Sequence, residues 1–185
     1  MVSALTTALP PRSVIDNTAV QSGPFGYTDK GSFFSDMAVT EFPKWIEVIY
    51  QGFVWAIRVT YPSNGSLMHG GVHTILKDKV KKEKFFLKDG EHIVRVSGRA
   101  SPYNINRCGQ KLPVFQQNHL LFPHRFTIYT SKGKKYGPFG DRRSEESVDF
   151  DVSAPPGHAL AYISGTVDFG VPLRSVSLHW RPYPG

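Results

Sequence analysis

Alternation of apolar and polar side chains is clearest near the end of the chain, between residues 159 and 180. In the second half of this segment three apolar residues alternate with three polar ones, namely Ser175, Val176, Ser177, Leu178, His179 and Trp180. In the first half, Leu160 and Tyr162 are expected to share one face. Since a period of two is typical of a half-buried β-strand, the segment predicts two strands. The loop that joins them, Gly165 to Arg174, combines glycines, a carboxylate and an arginine, and we place any functional site there.

The same alternation recurs earlier in the chain. Residues 45–61 predict a hairpin that turns at Gln51 and Gly52, and shorter runs predict strands at 92–98, 126–129 and 148–152. Three tryptophans occupy strand positions and are expected in the core: Trp45, Trp55 and Trp180. Aromatic residues are 13% of the chain, and the regular spacing that long helices need is missing. We therefore predict an all-β fold.

The 185 residues suit one domain. Residues 1–18 are small and polar with two prolines, and we interpret them as an N-terminal arm before a domain at 19–185. Residues 102–121 form a long connection without a clear period, which is typical of a functional or mobile loop. The tetrapeptide Gly-Pro-Phe-Gly occurs at 23–26 and again at 137–140, which predicts similar strand ends in two sheets.

The chain carries a formal net charge of +7 and has a pI near 9.5. Such an excess permits weak affinity for polyanions, but we interpret most of it as solvated surface and predict no nucleic-acid partner. Residues 77–84 hold five lysines and two acids. We interpret this segment as an exposed loop or an edge strand protected against aggregation, in preference to an anion-binding patch.

A lone cysteine, Cys108, excludes a disulfide within the chain and favours a reducing compartment. The N-terminus lacks the basic start and long apolar run of a secretory signal, and no segment is apolar enough to span a membrane. We therefore expect a cytoplasmic protein without membrane insertion, and non-classical secretion stays an open alternative.

Motifs for catalysis or metal binding are missing from the sequence. His69 and His73 have a spacing that suits zinc on a helix, but Gly70 and Gly71 between them oppose a helix. The sequence has no nucleophile elbow, no phosphate-binding glycine loop and no zinc-protease motif. We therefore predict no metal site, no cofactor and no enzymatic activity.

Several short motifs, in this order, resemble the jacalin-related lectin family. They are AVQSGPFG at 19–26, HGG at 69–71, DGEHIVRVSG at 89–98, TIYTSKGKKYGPFG at 127–140, ALAYISG at 159–165 and SVSLHW at 175–180. The resemblance covers about residues 19–182. It implies a β-prism I fold, in which three four-stranded Greek-key sheets surround a pseudo-threefold axis, with one carbohydrate site at one end and neither catalysis nor a metal.

The resemblance also implies three loops around the sugar. In the first, Gly31 best matches the glycine whose N–H contacts the sugar, although residues 27–30 replace further glycines. The second follows the strand at 92–98 and contains Tyr103, whose ring is suited to stacking on a sugar. The third is the binding loop, in which the family has Gly-x-x-x-Asp and this chain has Gly170–Arg174.

Arg174 stands where the family has an aspartate. An aspartate accepts hydrogen bonds from sugar hydroxyls, whereas an arginine only donates them. Asp168 lies six residues earlier, in a loop two residues longer than is usual, and we expect it to reach the same space from a different anchor. The site residues that we predict are Gly31, Tyr103, Asp168, Phe169, Gly170, Val171 and Arg174.

Three functions stay open, and we rank them in this order. The first is binding of mannose- or glucose-type glycans through the Gly31 loop and Asp168. In the second, Arg174 and the lysine-rich segment select a sulfated or sialylated glycan. In the third, the sugar site is degenerate and the prism is an interaction scaffold. The expected partners are glycans or glycoproteins, and we predict a homo-oligomer because shallow sugar sites gain strength from multivalency.

Overall fold

The structure is a computed structural model that describes residues 18–72, 78–102, 121–140 and 147–183. The regular elements in these ranges are β-strands, and they are β1 (Val20–Gly26), β2 (Ser32–Ser35), β3 (Trp45–Gln51), β4 (Phe53–Tyr61), β5 (Gly65–Gly70), β6 (Lys81–Phe86), β7 (Ile93–Pro102), β8 (Leu121–Thr130), β9 (Lys135–Phe139), β10 (Val148–Ser153), β11 (His158–Val167) and β12 (Ser175–Pro182). Within the same ranges, no helix is long and apolar enough to cross a membrane.

The strands form three antiparallel sheets of four strands each. The strand order is β1-β12-β11-β2 in sheet 1, β5-β4-β3-β6 in sheet 2 and β10-β7-β8-β9 in sheet 3. Each sheet has a hairpin at its centre and one further strand on either side, so the three sheets repeat one plan. The predicted all-β prism of three four-stranded sheets is confirmed.

Sheet 1 joins the two ends of the described chain. β1 runs along β12, with Val20 opposite Trp180, and β2 runs along β11, with Phe34 opposite Gly165. The loop between β1 and β2 therefore lies beside the loop between β11 and β12. This pairing brings the Gly31 loop, residues 27–31, and the binding loop to the same end of one sheet.

The repeated Gly-Pro-Phe-Gly tetrapeptide ends an edge strand in two of the sheets. It ends β1 at Gly26 in sheet 1; in sheet 3 its first three residues end β9, and Gly140 follows directly. Both glycines have a positive φ, of +111° and +82°, and they pack against the carbonyls of Arg174 and His124 with no room for a Cβ. The prediction of similar strand ends is confirmed, and it places Arg174 and His124 at corresponding positions in the two sheets.

The core lies between the sheets and takes apolar side chains from all three. Trp55 and Trp180 are fully buried, as predicted. Trp45 differs from the prediction because it lies at the start of β3 and is only partly buried. The Lys84 ammonium covers its ring at 3.5 Å from the centroid, a cation–π contact that shields the indole at the surface.

A β-bulge in β11 overturns one predicted face. Leu160 lies opposite Trp180, whereas Tyr162 lies opposite His179, so Leu160 and Tyr162 point to opposite faces of the sheet. The extra residue of the bulge, Ala161, shifts the alternation by one position. Tyr162 consequently stacks on the His179 ring with 4.2 Å between the centroids.

The lysine-rich segment forms an edge strand, which is one of the two exposed arrangements that its composition predicted. β6 lies at the edge of sheet 2, and residues 81–84 are exposed. Lysines at an open edge oppose the addition of a strand from another molecule.

The buried carboxylate of Glu91 connects the turn before β7 to the β8–β9 turn through hydrogen bonds. Glu91 is 2% exposed and accepts hydrogen bonds from the Lys88 N–H at 3.0 Å, the Thr130 hydroxyl at 2.7 Å and the Lys134 ammonium at 3.0 Å. Burial by itself raises the pKa of Glu91, but these three donors outweigh it and lower the pKa to about 2.

Because the folded-state pKa of Glu91 lies below its unfolded value of about 4.3, the charged carboxylate stabilises the fold above that value. This contribution is lost as the pH falls toward 2. Replacing Glu91 with glutamine should lower the free energy of unfolding at pH 7 by about 1–3 kcal/mol. It should also flatten the fall in stability between pH 4.5 and 2, measured by chemical denaturation at a series of pH values. Parallel pH profiles for Glu91→Gln and the unsubstituted protein would contradict this assignment.

Candidate functional site

The loop between β11 and β12 is shorter than the sequence suggested. β11 continues through Val167 and β12 begins at Ser175, so the loop spans residues 168–174. Its second half is fixed by backbone hydrogen bonds: Leu173 N–H donates to Val54 O at 2.9 Å, and Arg174 N–H donates to Thr166 O at 3.1 Å. The loop is therefore anchored to β4 as well as to its own hairpin.

Two buried hydroxyls join this loop to the Gly31 loop. Thr166 and Ser175 lie opposite each other at the base of the hairpin, with 2.8 Å between their hydroxyl oxygens. The Thr166 hydroxyl also donates to Tyr27 O at 3.1 Å, and Tyr27 N–H donates to Arg174 O at 2.9 Å. These bonds set the position of residues 27–31 relative to residues 168–174.

Arg174 is an interior residue, with 6% of its surface exposed. Its Nη2 donates to Asp168 Oδ2 at 2.8 Å, and its guanidinium carbon lies 5.6 Å and 5.9 Å from the ring centroids of Phe122 and Tyr27. Its Nε and Nη1 have no hydrogen-bond partner in the part of the chain that the structure describes. The guanidinium therefore lies beneath the loop and holds Asp168 from below.

Asp168 is held at the surface by this arginine. Its side chain is 47% exposed, and its Oδ1 accepts the Phe169 N–H at 2.8 Å. The hydrogen bond from Arg174 lowers the pKa of Asp168, and it outweighs the opposing effect of partial burial. An ionised carboxylate has about four acceptor positions, and two are used here, so Asp168 can accept further hydrogen bonds from a ligand.

The first half of the loop presents an aromatic ring and backbone donors. Phe169 is 88% exposed. Pro172 has no N–H, and the N–H groups of Leu173 and Arg174 bond to the protein. In contrast, the backbone hydrogen bonds between described loop residues do not engage the N–H groups of Gly170 and Val171.

Gly31 packs closely against the same loop. It has a φ of +98°, and a Cβ on it would lie 2.5 Å from Val167 O and 3.0 Å from Arg174 Cδ. A side chain at this position would displace the strand end that carries Asp168. Glycine is therefore required here by the approach of the two loops, apart from any contact with a ligand.

The predicted site residues do not all line one hollow. Asp168, Phe169 and Gly170 line a hollow at the junction of β2 and β5, whereas Gly31 lines a separate hollow on the outer face of sheet 1. The Val171 side chain is buried in a small cluster with Phe53 and Phe122, and Tyr27 packs against this cluster. Val171 and Arg174 are thus placed to support the loop through their side chains. Tyr103 lies outside the described residues.

Sequence reasoning missed the part of the hollow that β2 and the end of β5 form. His69 and Phe34 line it, with their rings stacked at 4.0 Å between centroids. The HGG motif at 69–71 had drawn attention to this segment of β5. Its closeness to the binding loop could not be predicted, because it depends on the pairing of β2 with β11 in sheet 1 and of β5 with β4 in sheet 2. In the described ranges, no three His, Cys, Asp or Glu side chains cluster as metal ligands.

A family model for the jacalin-like lectin domain matches residues 22–172. The match spans most of the chain and includes strands of all three sheets. The protein therefore belongs to the jacalin-like lectin domain family, as its motifs indicated. A comparison with curated proteins by sequence found no match.

Solved lectin structures have the same fold. A mannose-binding lectin from Champedak is 20% identical, with a TM-score of 0.67 over 90% of this chain and 99% of that chain. A mannose-specific jacalin-related lectin from Morus nigra, in complex with mannose, is 17% identical, with a TM-score of 0.68 over 97% and 99%. An artocarpin–mannotriose complex is 21% identical, with a TM-score of 0.66 over 88% and 97%. At these identities the likeness establishes the fold.

If Arg174 holds Asp168, removing the guanidinium should release the carboxylate. In Arg174→Met, the pKa of Asp168 should rise toward the ordinary aspartate value of about 3.9, measured by ¹³C NMR titration of its carboxyl carbon. The matched control is Arg95→Met, because Arg95 lowers the pKa of Asp151 on sheet 3 in the same way. That control should raise the pKa of Asp151 and leave Asp168 unchanged. An unaltered Asp168 titration in Arg174→Met would contradict the positioning role.

Proposed function

We propose that the protein is a non-catalytic lectin that binds neutral mannose- or glucose-type sugars through Asp168 and the loop around it. The observation that carries this proposal is the half-exposed, ionised Asp168 beside the exposed Phe169 ring. A carboxylate accepts hydrogen bonds from sugar hydroxyls, and an aromatic ring packs on the apolar face of a sugar. The related lectins from Champedak and Morus nigra are described as mannose-binding and mannose-specific, which supports the same sugar class here.

The burial of Arg174 favours a neutral ligand over an anionic one. Its guanidinium is paired with Asp168 and lies inside the protein, so it is not placed to meet a sulfate or a sialic acid carboxylate. The charge that faces solvent at this loop is the negative one of Asp168. The exposed lysines of β6 lie on the far edge of sheet 2, separated from β5 by two strands.

The family has an aspartate at the position that Arg174 occupies in this chain, and the proposed site does not need it. The carboxylate comes from Asp168, and the arginine supplies its anchor from below. The carboxylate that we propose for sugar binding therefore lies six residues before position 174, on the side of β11. Assembly into a homo-oligomer, which would multiply weak single sites, stays a prediction.

Truncation of Asp168 should abolish most of the affinity. A hydrogen bond to a charged group contributes about 1.5–3 kcal/mol, so Asp168→Ala should weaken binding of methyl α-mannoside at least about tenfold in isothermal titration calorimetry. Asp151→Ala is the matched control, because Asp151 is also an exposed carboxylate paired with an arginine, but it lies on sheet 3. A glycan array at two salt concentrations identifies the sugar class, and binding of a neutral sugar should not weaken with salt.

Equal affinities for Asp168→Ala and the unsubstituted protein would reject Asp168 as the sugar-binding carboxylate. Binding confined to acidic glycans at low salt would reject a neutral ligand. The absence of any bound glycan would reject lectin activity and leave the scaffold function.

A further inference from the structure

Neighbouring sheets of the prism meet along their edge strands, and a pair of stacked aromatic rings lies at each junction. The ring centroids are 4.0 or 4.1 Å apart, and the pairs are Phe34 with His69 between β2 and β5, Phe25 with Phe150 between β1 and β10, and Phe85 with Tyr136 between β6 and β9. The three junctions therefore share one packing arrangement.

Charge distinguishes the junction of β6 and β9 from the other two. β2 and β5 carry no lysine, arginine, aspartate or glutamate, and β1 and β10 carry two aspartates, each paired with an arginine of β7. β6 and β9 together carry four lysines and one glutamate, which gives a net charge of +3. We call this surface the basic junction, and it consists of Lys81, Lys82, Lys84, Phe86 and Lys135.

The lysines of the basic junction are open to an external partner. Lys81, Lys82 and Lys135 are exposed, and among the described residues no salt bridge engages any of them. Glu83, the acid of β6, accepts a hydrogen bond from the Tyr50 hydroxyl. The net positive charge of this surface is therefore presented to solvent.

An exposed aromatic ring lies among these lysines. Phe86 is 58% exposed, and the Lys84 ammonium lies 4.8 Å from its ring centroid and 3.5 Å from that of Trp45. Lysines alone are enough to oppose strand addition at an edge, so that role does not require the exposed ring. Lysines beside Phe or Trp are the combination with which amphipathic segments bind the surface of an anionic bilayer.

The shape of the basic junction suits a flat partner. Residues 81–84 are exposed one after another, whereas a strand with one covered face would bury every second residue. This half of β6 therefore projects beyond the sheet. A projecting edge can contact a plane along its length, whereas a single soluble chain would be held better by a groove.

From these observations we propose that the basic junction docks the protein on the surface of an anionic phospholipid bilayer. The lysine ammonium groups lie against the lipid headgroups, and the Phe86 ring enters the headgroup layer without crossing the membrane. Sheet 1 contributes no strand to the basic junction, so the loop that carries Asp168 stays open to a glycan in the docked protein. The inference does not depend on the proposed sugar binding.

The experiment measures flotation of the full chain with lipid vesicles. One vesicle preparation contains phosphatidylcholine with about one third phosphatidylserine, and the other contains phosphatidylcholine alone. Each is tested at about 0.1 M and about 1 M NaCl, between which the screening length falls from about 10 Å to about 3 Å. Neither lipid contains a sugar, and an excess of methyl α-mannoside occupies any site at Asp168.

The protein should float with the phosphatidylserine vesicles at the lower salt concentration only, and should not float with phosphatidylcholine alone. Lys82→Gln combined with Lys135→Gln should raise the lipid concentration for half-maximal binding at least about tenfold, because each lysine near an anionic surface adds to the attraction. The matched control is Lys30→Gln combined with Arg125→Gln, which removes the same charge from exposed positions in the Gly31 loop and on sheet 3. That control should change the half-maximal concentration less than about twofold.

Phe86→Ser separates a bilayer from a soluble polyanion. It should raise the lipid concentration for half-maximal binding about fivefold, because the ring no longer enters the headgroup layer, and it should leave the affinity for heparin unchanged. Phe33→Ser, which removes an exposed ring from β2, is the matched control and should bind vesicles as the unsubstituted protein does. Thermal unfolding of each variant checks that the fold is retained.

Four results would overturn the docking surface. They are equal flotation with phosphatidylcholine alone, unchanged flotation of the folded Lys82→Gln, Lys135→Gln variant, an equal loss in its charge-matched control, and binding of heparin without flotation. The last result would make the partner a soluble polyanion. None of them bears on the proposed lectin function, because the binding of methyl α-mannoside at Asp168 is measured separately.

Discussion

The pairing of the first two strands with the last two is the constraint on which the site depends. Sheet 1 takes β1 and β2 from the start of the described chain and β11 and β12 from its end. In this arrangement Gly31 packs against Val167 O, and the Tyr27 N–H donates a hydrogen bond to Arg174 O. Two loops that are far apart in sequence therefore support each other. The same pairing sets β2 beside β5, which creates the hollow next to Asp168. Without this closure the two loops would lose the hydrogen bonds that join them.

Within that frame, the Arg174–Asp168 pair decides the chemistry. Burying a guanidinium is costly, and two of its nitrogens have no hydrogen-bond partner among the described residues. The ion pair and the Tyr27 and Phe122 rings offset part of that cost. His124 holds the corresponding position in sheet 3, where it is also buried and bonds to the Ser101 hydroxyl at 2.9 Å. The position therefore turns a polar side chain into the protein in both sheets, which explains why Arg174 supports the loop from beneath.

Much of the fold could be predicted from the sequence because strand alternation and glycine positions act locally. The Gln51–Gly52 hairpin, the Gly-Pro-Phe-Gly strand ends and the all-β class belong to this group. The faces of Leu160 and Tyr162 could not be predicted, since a bulge leaves no mark in the apolar pattern. The spacing of six residues suggested Asp168, but the contact between the buried Arg174 guanidinium and Phe122 joins two sheets and could not be predicted. The role of His69 likewise depends on a partner on a different strand, Asp36.

The most direct test of the central claim is an NMR titration of ¹⁵N-labelled protein with methyl α-mannoside, which reports the location of binding residue by residue. The account predicts that amide signals of Phe169, Gly170 and Val171 shift together with one dissociation constant, and that Gly31 follows through its contact with the same loop. Shifts confined to the β3–β4 turn at Gly52 or to the outer face of sheet 3, with residues 168–171 unaffected, would contradict it.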